Sequence, residues 1–302
     1  MKVESLLDFS LKDPQLFEEA IGFSATATGF APEMIEKDYF CTLILDHLAA
    51  SGANRLVFKG GTCLSKVHAG FYRLSEDLDF TLSTPSEASR KARSNAANPV
   101  REVLRSLPDK YPSLQIEQPL TGANGSTQYF ALLSYRSIFG EGTKIIKFEV
   151  GLREPLLDNP AQGMAKTILL HPVRKIPLLR SIRIPCMSLR EAMAEKFRAA
   201  LTRREVAIRD FYDIDYLVRS TDFDFLDDDF VNLIKAKLAL PGDGSPDVSD
   251  VRFAGLESQL GSQLKPVLRS GDFEQFDLKR ILAIIKNVAG ALGQPNPVVV
   301  ET

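Results

Sequence analysis

The chain has 302 residues, of which 44% are hydrophobic and 25% are charged, and its 37 basic and 39 acidic side chains give a net charge of −2. This composition is ordinary for a globular protein with an ample core, and it excludes a disordered chain and binding to polyanions by bulk charge. Any contact with nucleic acid would therefore need a local basic patch.

The cysteine content and the hydropathy of the chain indicate the compartment in which the protein is expected. Cys41, Cys63 and Cys186 are an odd set with no recognisable spacing. They favour a reducing compartment and argue against a disulfide framework or a zinc site. No run approaches the roughly 18 apolar residues that span a bilayer, and no signal-peptide pattern is present. We expect a cytoplasmic protein that makes no membrane contact. A monomer is favoured, although the sequence does not fix the oligomeric state.

The pattern of apolar residues predicts an α/β (α+β) protein in which an antiparallel set of strands joins the first two strands. Helices are predicted over Pro32 to Ala50 and most of Thr84 to Pro108, and strands over Arg55 to Lys59, Asp77 to Leu82, Leu114 to Pro119, Tyr129 to Arg136 and Lys144 to Leu152. A proline-rich connection with short strands follows. From Ser188 the chain is mainly helical, and Phe273 to Leu292 is predicted to be one long helix. The expected domains are residues 1–186 and residues 187–302.

The stretch from Lys59 to Leu82, KGGTCLSKVHAGFYRLSEDLDFTL, carries the strongest functional pattern. Gly60, Gly61 and Thr62 follow a predicted strand and open a short helical run. Glycines let backbone N–H groups approach a phosphate closely, and a helix start favours negative charge. These residues are therefore predicted to bind nucleotide phosphates, although a Gly-Gly pair alone would indicate only a turn.

The same stretch ends in two acids on a predicted strand, Asp77 and Asp79. Side chains alternate along a strand, so both carboxylates should share one face while Leu78 and Phe80 share the other. A cation between them relieves their repulsion, and a divalent metal completed by phosphate oxygens meets that need. We expect Asp77 and Asp79 to bind Mg²⁺, with Mn²⁺ as the alternative ion. The competing interpretation is a solvated strand end.

Together these residues carry a family resemblance. Gly-Gly-Thr-x-Leu-x-Lys from Gly60 to Lys66, followed by Arg-x-Ser-x-Asp-x-Asp from Arg73 to Asp79, resembles the nucleotidyltransferase AbiEii/AbiGii toxin family, which includes the MenT-type toxins. That family belongs to the DNA-polymerase-β-like nucleotidyltransferase superfamily. The resemblance extends over roughly Glu36 to Val218. It implies a mixed-sheet nucleotidyltransferase core flanked by helices and a helical C-terminal domain that closes over the nucleotide.

The resemblance also implies roles within the first domain. Lys66 would neutralise charge on the phosphates, and Ser75 would hydrogen-bond to them. Glu149 shares a strand face with Lys147, and it fits the third acid of such a site, as a metal ligand or as the base for an incoming hydroxyl. Lys147 would hold a phosphate oxygen or neutralise the acids. An edge-strand salt pair between Lys147 and Glu149 is the alternative.

Two further residues are implied in the second domain. Arg-Asp-x-x-Asp from Arg209 to Asp213 is similar to a family motif, and Lys196 precedes it as the family's lysine does. The resemblance implies that Lys196 contacts the nucleotide triphosphate and that Asp210 completes the site. An intrahelical ion-pair network is the alternative, and for Arg209 and Asp213 it is the favoured one.

The predicted activity is Mg²⁺-dependent transfer of a nucleotide from an NTP to an RNA acceptor, with release of pyrophosphate. The resemblance implies the tRNA 3′ end as acceptor, a block of translation, and a toxin whose antitoxin is separately encoded. Basic residues within 90–105 and 174–183 are the candidates for contacting RNA phosphates. Two alternatives stay open: the same site could act on a protein or a small molecule, or the chain could bind GTP without transfer.

Overall fold

The computed structural model describes residues 6–52, 55–85, 87–140, 142–152, 155–240 and 244–293. The described strands are β1 (Leu56–Lys59), β2 (Leu78–Leu82), β3 (Leu114–Ala123), β4 (Gln128–Arg136), β5 (Thr143–Gly151), β6 (Ala161–Ala165) and β7 (Ile182–Cys186). They form one sheet in the order β3-β4-β5-β2-β1-β7-β6. The predicted mixed sheet is confirmed, because β1 pairs antiparallel with β2 while β2 pairs parallel with β5.

The chain divides into two compact units, Met1–Leu189 with Val267–Arg269, and Arg190–Pro266 with Ser270–Thr302. The predicted division after residue 186 assigned every later residue to the second domain. The structure instead returns Val267–Arg269 to the first unit. The backbone N–H of Leu74 donates to the carbonyl of Val267 at 3.0 Å, and this bond ties the short segment to the first unit.

The first unit contains the sheet and the helices before it and between its strands. These helices are α1 (Phe9–Lys12), α2 (Pro14–Thr28), α3 (Pro32–Ala50), α4 (Gly60–Cys63), α5 (Arg90–Arg105) and α6 (Leu107–Lys110). A π-helical turn, Leu64–His68, continues α4. Helix α3 has the predicted bounds, since Pro32 stands at its first turn, where a missing backbone N–H costs no hydrogen bond.

The core lies on one face of the sheet. Phe58, Phe80 and Phe148 project from the neighbouring strands β1, β2 and β5, with ring centroids 5.3 Å and 4.9 Å apart along the row. Helix α3 covers this face, and Phe40 stacks on Tyr135 of β4 at 4.0 Å. Polar residues that alternate with these aromatics must therefore point to the other face.

The second unit is helical in its described part. Its helices are α7 (Leu189–Thr202), α8 (Ile208–Ser220), α9 (Asp228–Leu238), α10 (Asp250–Phe253), α11 (Leu256–Gln259), α12 (Ser270–Gln275) and α13 (Leu278–Leu292). The prediction of one helix from Phe273 to Leu292 is wrong, because the side chain of Asp277 accepts from Lys279 and Arg280 and caps a new helix. None of the described helices is both long enough and apolar enough to cross a membrane.

Candidate active site

Two acids stand at the same level on the sheet face opposite the aromatic core. Strands β2 and β5 are parallel, and their register places Asp79 beside Glu149. Asp79 precedes the buried Phe80, and Glu149 follows the buried Phe148, so both carboxylates share the opposite face. Adjacent strands lie about 4.8 Å apart, and two carboxylates at one level can therefore reach a single cation.

Lys59 extends this row on the other side of Asp79. The antiparallel register pairs Lys59 of β1 with Asp79 of β2, so the order across the face is Lys59, Asp79, Glu149. The cleft at this point is lined by Lys59, Asp79, Thr81, Thr127, Gln128, Glu149 and Gly151. An ammonium next to acids lowers the electrostatic cost of placing them together. Lys59 was not among the predicted site residues, although it stands at the end of an apolar strand directly before Gly60.

Gly60 lets the chain turn directly against Asp79. Its φ of +75° lies in the left-handed region, which favours glycine. A Cβ added here would lie 2.3 Å from Oδ2 and 2.9 Å from Cβ of Asp79. The structure thus brings the predicted glycine motif and one predicted metal ligand into contact.

Gly61 makes a second close approach, to the segment before β2. A Cβ on Gly61 would lie 2.5 Å from Nη2 of Arg73 and 3.0 Å from Oγ of Ser75. Arg73 is buried, and its Nη1 donates to the carbonyl of Leu74 at 3.0 Å. The hydroxyl of Ser65 donates to the carbonyl of Arg73 at 2.7 Å and holds the segment in place. Ser75 is half-buried beside the glycines, where a side chain that binds phosphate was expected.

Asp77 lies one residue before β2, which begins at Leu78 and not at Asp77 as predicted. Its side chain is exposed, whereas that of Asp79 is half-buried. The hydroxyl of Thr62 is buried and donates to the backbone carbonyl of Asp77. Thr62 therefore connects the turn at Gly60 and Gly61 to the segment before β2, and its hydroxyl hydrogen is already donated to a protein carbonyl.

Lys66 has contacts different from those predicted. It is 1% exposed, and its Nζ donates to Oδ1 of Asp38 at 2.5 Å and to the hydroxyl of Thr42 at 2.8 Å. Asp38 also accepts from the backbone N–H of Ile168 at 3.3 Å. Binding a phosphate would require Lys66 to leave a buried carboxylate unpaired, which is costly. We therefore assign a supporting role to Lys66, which holds the π-helical turn after the glycines against α3.

Lys147 and Glu149 form the pair that the alternative interpretation described. Nζ of Lys147 lies 3.6 Å from Oε2 of Glu149 and 5.1 Å from the ring centroid of Phe130. Strand β5 lies between β4 and β2, so this is not an edge strand. Both side chains are partly exposed, and such a pair is worth little. The pair therefore leaves Glu149 able to exchange Lys147 for a cation.

Lys196 and Asp210 meet within the second unit. Nζ of Lys196 lies 2.7 Å from Oδ1 of Asp210 and 2.8 Å from Oδ2 of Asp213, and Nη1 of Arg203 lies 2.7 Å from Oδ2 of Asp210. The expectation that Asp213 would pair within its own helix was incomplete, because this network joins α7 to α8. Asp213 is fully buried, so Lys196 neutralises charge that the fold could not otherwise tolerate.

The first basic cluster is partly used inside the protein. Arg93 donates to the carbonyl of Gly125, and Arg101 donates to the carbonyl of Leu120 and lies 5.0 Å from the ring centroid of Tyr129. Arg105 pairs with Glu102. Arg90 and Lys91 are exposed, and no ion pair within the described residues involves them.

The second basic cluster is also divided. Arg180 pairs with the buried Asp46, while Arg174, Lys175 and Arg183 are exposed. The two clusters therefore present fewer outward charges than the sequence suggested.

The donors of the cleft fit a hard divalent ion. Asp79 and Glu149 offer carboxylate oxygens, which Mg²⁺ and Mn²⁺ prefer over nitrogen or sulfur. Both side chains are only partly buried, so an ion could keep several of its waters, as Mg²⁺ usually does.

Comparison with known proteins gives a family and a fold. The model of a family described as nucleotidyl transferase AbiEii toxin, type IV TA system, matches residues 43–291. The structure is similar to MenT4, a nucleotidyltransferase toxin from Mycobacterium tuberculosis, at 18% identity and a TM-score of 0.52 over 90% of this chain and 97% of that one. It is also similar to JHP933 from Helicobacter pylori, at 14% identity and a TM-score of 0.52 over 87% of this chain and 93% of that one. No curated protein sequence matches the chain. At these identities the structural likeness shows a shared fold.

Proposed function

Since the chain belongs to the nucleotidyltransferase AbiEii toxin family, we propose that it transfers a nucleoside monophosphate from an NTP to the 3′ end of tRNA and thereby blocks translation. The family makes it a nucleotidyltransferase toxin, and a type IV toxin–antitoxin system implies an antitoxin partner. The acceptor, the metal and the residue roles below are our proposal. A cytoplasmic location belongs to the proposal too, because tRNA and NTPs are found there.

The observation that carries the proposal is the row of Asp79 and Glu149 beside the Gly60 loop. These acids would hold Mg²⁺, or Mn²⁺, and Asp77, exposed at the start of the strand, would be the third acid. The bound ion would polarise the triphosphate and offset the charge that develops on it. Backbone N–H groups of Gly60 and Gly61 would donate to phosphate oxygens, as the N–H groups of glycine-rich turns do at phosphate sites.

The remaining side chains would serve the transfer step. The acceptor hydroxyl oxygen forms a bond to the α-phosphorus while the bond from that phosphorus to the bridging oxygen breaks, and pyrophosphate leaves. Glu149, or Asp77, would take the hydroxyl proton. Lys59 and Lys147 would stabilise negative charge on the phosphates, and Ser75 would hydrogen-bond to them. For Lys196 and Asp210 we propose that nucleotide binding competes with their mutual ion pair.

The test combines purified protein, Mg²⁺, total tRNA and each α-³²P-labelled NTP in turn. We expect label on tRNA with at least one NTP, and none when the tRNA 3′ hydroxyls have been destroyed by periodate. Label that persists on oxidised tRNA would contradict the 3′ end as acceptor. Label on protein alone would contradict an RNA acceptor altogether.

A second candidate keeps the site and changes the acceptor to a protein or a small molecule. It is favoured by the hydrogen bonds that Arg93 and Arg101 make to backbone carbonyls and by the surface pairing of Arg105 with Glu102, which together reduce the positive charge that α5 offers to a partner. In this case, charge reversal at Arg90 and Lys91 would leave activity unchanged. A third hypothesis is that the protein binds nucleotide without transferring it. In that case no pyrophosphate would be released with any acceptor.

A further inference from the structure

Two thiols and an imidazole from separate parts of the first unit converge at one point. Cys63 ends α4, His68 ends the π-helical turn, and Cys186 ends β7. One donor atom from each, the two Sγ atoms and an imidazole nitrogen, lies within 4.8 Å of the other two. Cys63 and Cys186 are 1% and 0% exposed, so the cluster is closed to bulk water on the sulfur side.

The imidazole of His68 is oriented by a second contact. Its Nε2 lies 3.0 Å from the backbone carbonyl of Met187. A carbonyl only accepts, so Nε2 carries the hydrogen and the lone pair of the neutral ring is on Nδ1. Metal-binding histidines are commonly fixed in this way, with the second nitrogen donating to a backbone carbonyl. Nδ1 is therefore the nitrogen of His68 that is left for a metal.

We propose that Cys63, His68 and Cys186 bind a thiophilic d¹⁰ cation, Zn²⁺ or Cu⁺, with Nδ1 as the nitrogen ligand. Zn–S bonds of about 2.3 Å and Zn–N bonds of about 2.0 Å place tetrahedral donors roughly 3.5 Å apart. The donors in this cluster already lie within 4.8 Å of one another. Side-chain rotations that move the donor atoms by about 1 Å would therefore bring them to tetrahedral spacing around one ion. Binding would release two protons, one from each thiol, as both sulfurs become thiolates.

The donor atoms of this site differ from those of the proposed Mg²⁺ site at Asp79 and Glu149. Thiolate and imidazole select Zn²⁺ or Cu⁺, while carboxylates select Mg²⁺ or Mn²⁺. The cysteine spacing argued against a zinc site because the donors come from three elements with no local motif. Only the fold brings Cys186, at the end of β7, beside the helical run that contains Cys63 and His68.

The position of the cluster indicates what the ion would do. Cys63 directly follows Gly60, Gly61 and Thr62 in the chain. Cys186 pairs in register with Phe58 of β1, and the N–H of Met187 donates to the Phe58 carbonyl at 2.9 Å. An ion on Cys63 and Cys186 would therefore fix the glycine loop to the sheet. The ion would be structural, and its binding does not depend on the proposed transfer activity.

The first experiment measures metal content. Reduced, tag-free full-length protein is dialysed against Zn²⁺ or, without oxygen, against Cu⁺, and bound metal per chain is determined by atomic absorption. We expect one ion per chain for the wild type and for Cys41→Ala, a fully buried cysteine of α3 that serves as the matched control. Cys63→Ala and Cys186→Ala should retain less than about a tenth of it, and His68→Gln should bind at least about 10-fold more weakly.

The second experiment identifies the ligands in folded protein. Co²⁺ bound in place of Zn²⁺ to the wild type and to Cys41→Ala should give a thiolate-to-cobalt charge-transfer band, so the result stands even if a site variant fails to fold. Binding of Zn²⁺ only or of Cu⁺ only identifies the ion. Binding of neither, a cobalt spectrum without thiolate bands, or equal metal in Cys41→Ala and in folded Cys63→Ala would overturn the proposal.

Discussion

Replacing Gly60 by alanine tests the link between the glycine loop and the acid row. The alanine would have to keep a φ of +75°, which costs roughly 1–2 kcal/mol. Its Cβ would also lie 2.3 Å from Oδ2 of Asp79, where an ordinary contact needs about 3.5 Å. The carboxylate must therefore move by about 1 Å, and a displacement of that size in a reacting centre costs on the order of 100-fold in rate.

Gly52 supplies a matched control for this prediction. It has nearly the same φ, +72°, but an added Cβ would meet nothing within 4 Å. Gly52→Ala should therefore lose the same roughly 1–2 kcal/mol of stability with no loss of activity. Stability is measured by urea unfolding, and activity is measured by the rate of label transfer from NTP. Mn²⁺ affinity is measured separately to report on the metal site.

The two variants should differ in activity and not in stability. We expect Gly60→Ala to lose about 100-fold in transfer rate beyond any loss in Gly52→Ala. A transfer rate of Gly60→Ala within about twofold of the wild type, or an equal loss of activity in both variants, would refute the proposed link between Gly60 and the Asp79 carboxylate.

Three further predictions concern other parts of the first unit. Lys66→Met should destabilise the protein by about 3–5 kcal/mol, because it leaves the buried Asp38 unpaired. Burial lowers the pKa of His47 from its ordinary 6.5, so stability should fall as the pH drops below about 6.5, a loss that His47→Gln abolishes. Reversing Arg90 and Lys91 to glutamate should weaken tRNA binding and reduce its log–log salt slope by about 2, with NTP affinity unchanged.

Each of these predictions has its own control. Asp38→Asn added to Lys66→Met should recover part of the lost stability in urea unfolding, and a double variant no better than the single one would contradict the ion-pair argument. Thermal unfolding between pH 5 and 8 checks His47, since a flat wild-type profile is incompatible with its lowered pKa. Lys12→Glu, at an exposed lysine of α1, controls for charge alone, and an equal loss of tRNA binding there would remove α5 from the RNA surface.

The strands and the glycine turn of the site could be predicted from the sequence, because each depends on residues that are close together in the chain. Alternation at period 2 identified the strands that carry Asp79 and Glu149 and assigned the aromatics to the opposite face. A glycine pair after an apolar strand identified the loop, because few other residues tolerate the backbone angle of Gly60. The family resemblance then connected these pieces, which lie far apart in the sequence.

The features that sequence could not predict depend on distant partners. Nothing local to Lys66 shows that Asp38, one helix earlier, will take its ammonium, and the same holds for Lys196 with Asp213. Lys59 became a site residue only through its register with Asp79. A motif lysine can pair with any acid that the fold places beside it. Its partner therefore depends on tertiary structure and not on the local sequence.

The central claim is that Asp79 and Glu149 act together as one metal site. The most direct test measures Mn²⁺ affinity and NTP-to-tRNA label transfer for Asp79→Asn, Glu149→Gln and the double variant, with Glu18→Gln, at an exposed acid of α2, as the control. Residues that act as a unit lose function non-additively, so each single variant should abolish transfer almost as fully as the double variant, and Glu18→Gln should match the wild type. Full transfer by either single variant would contradict the account.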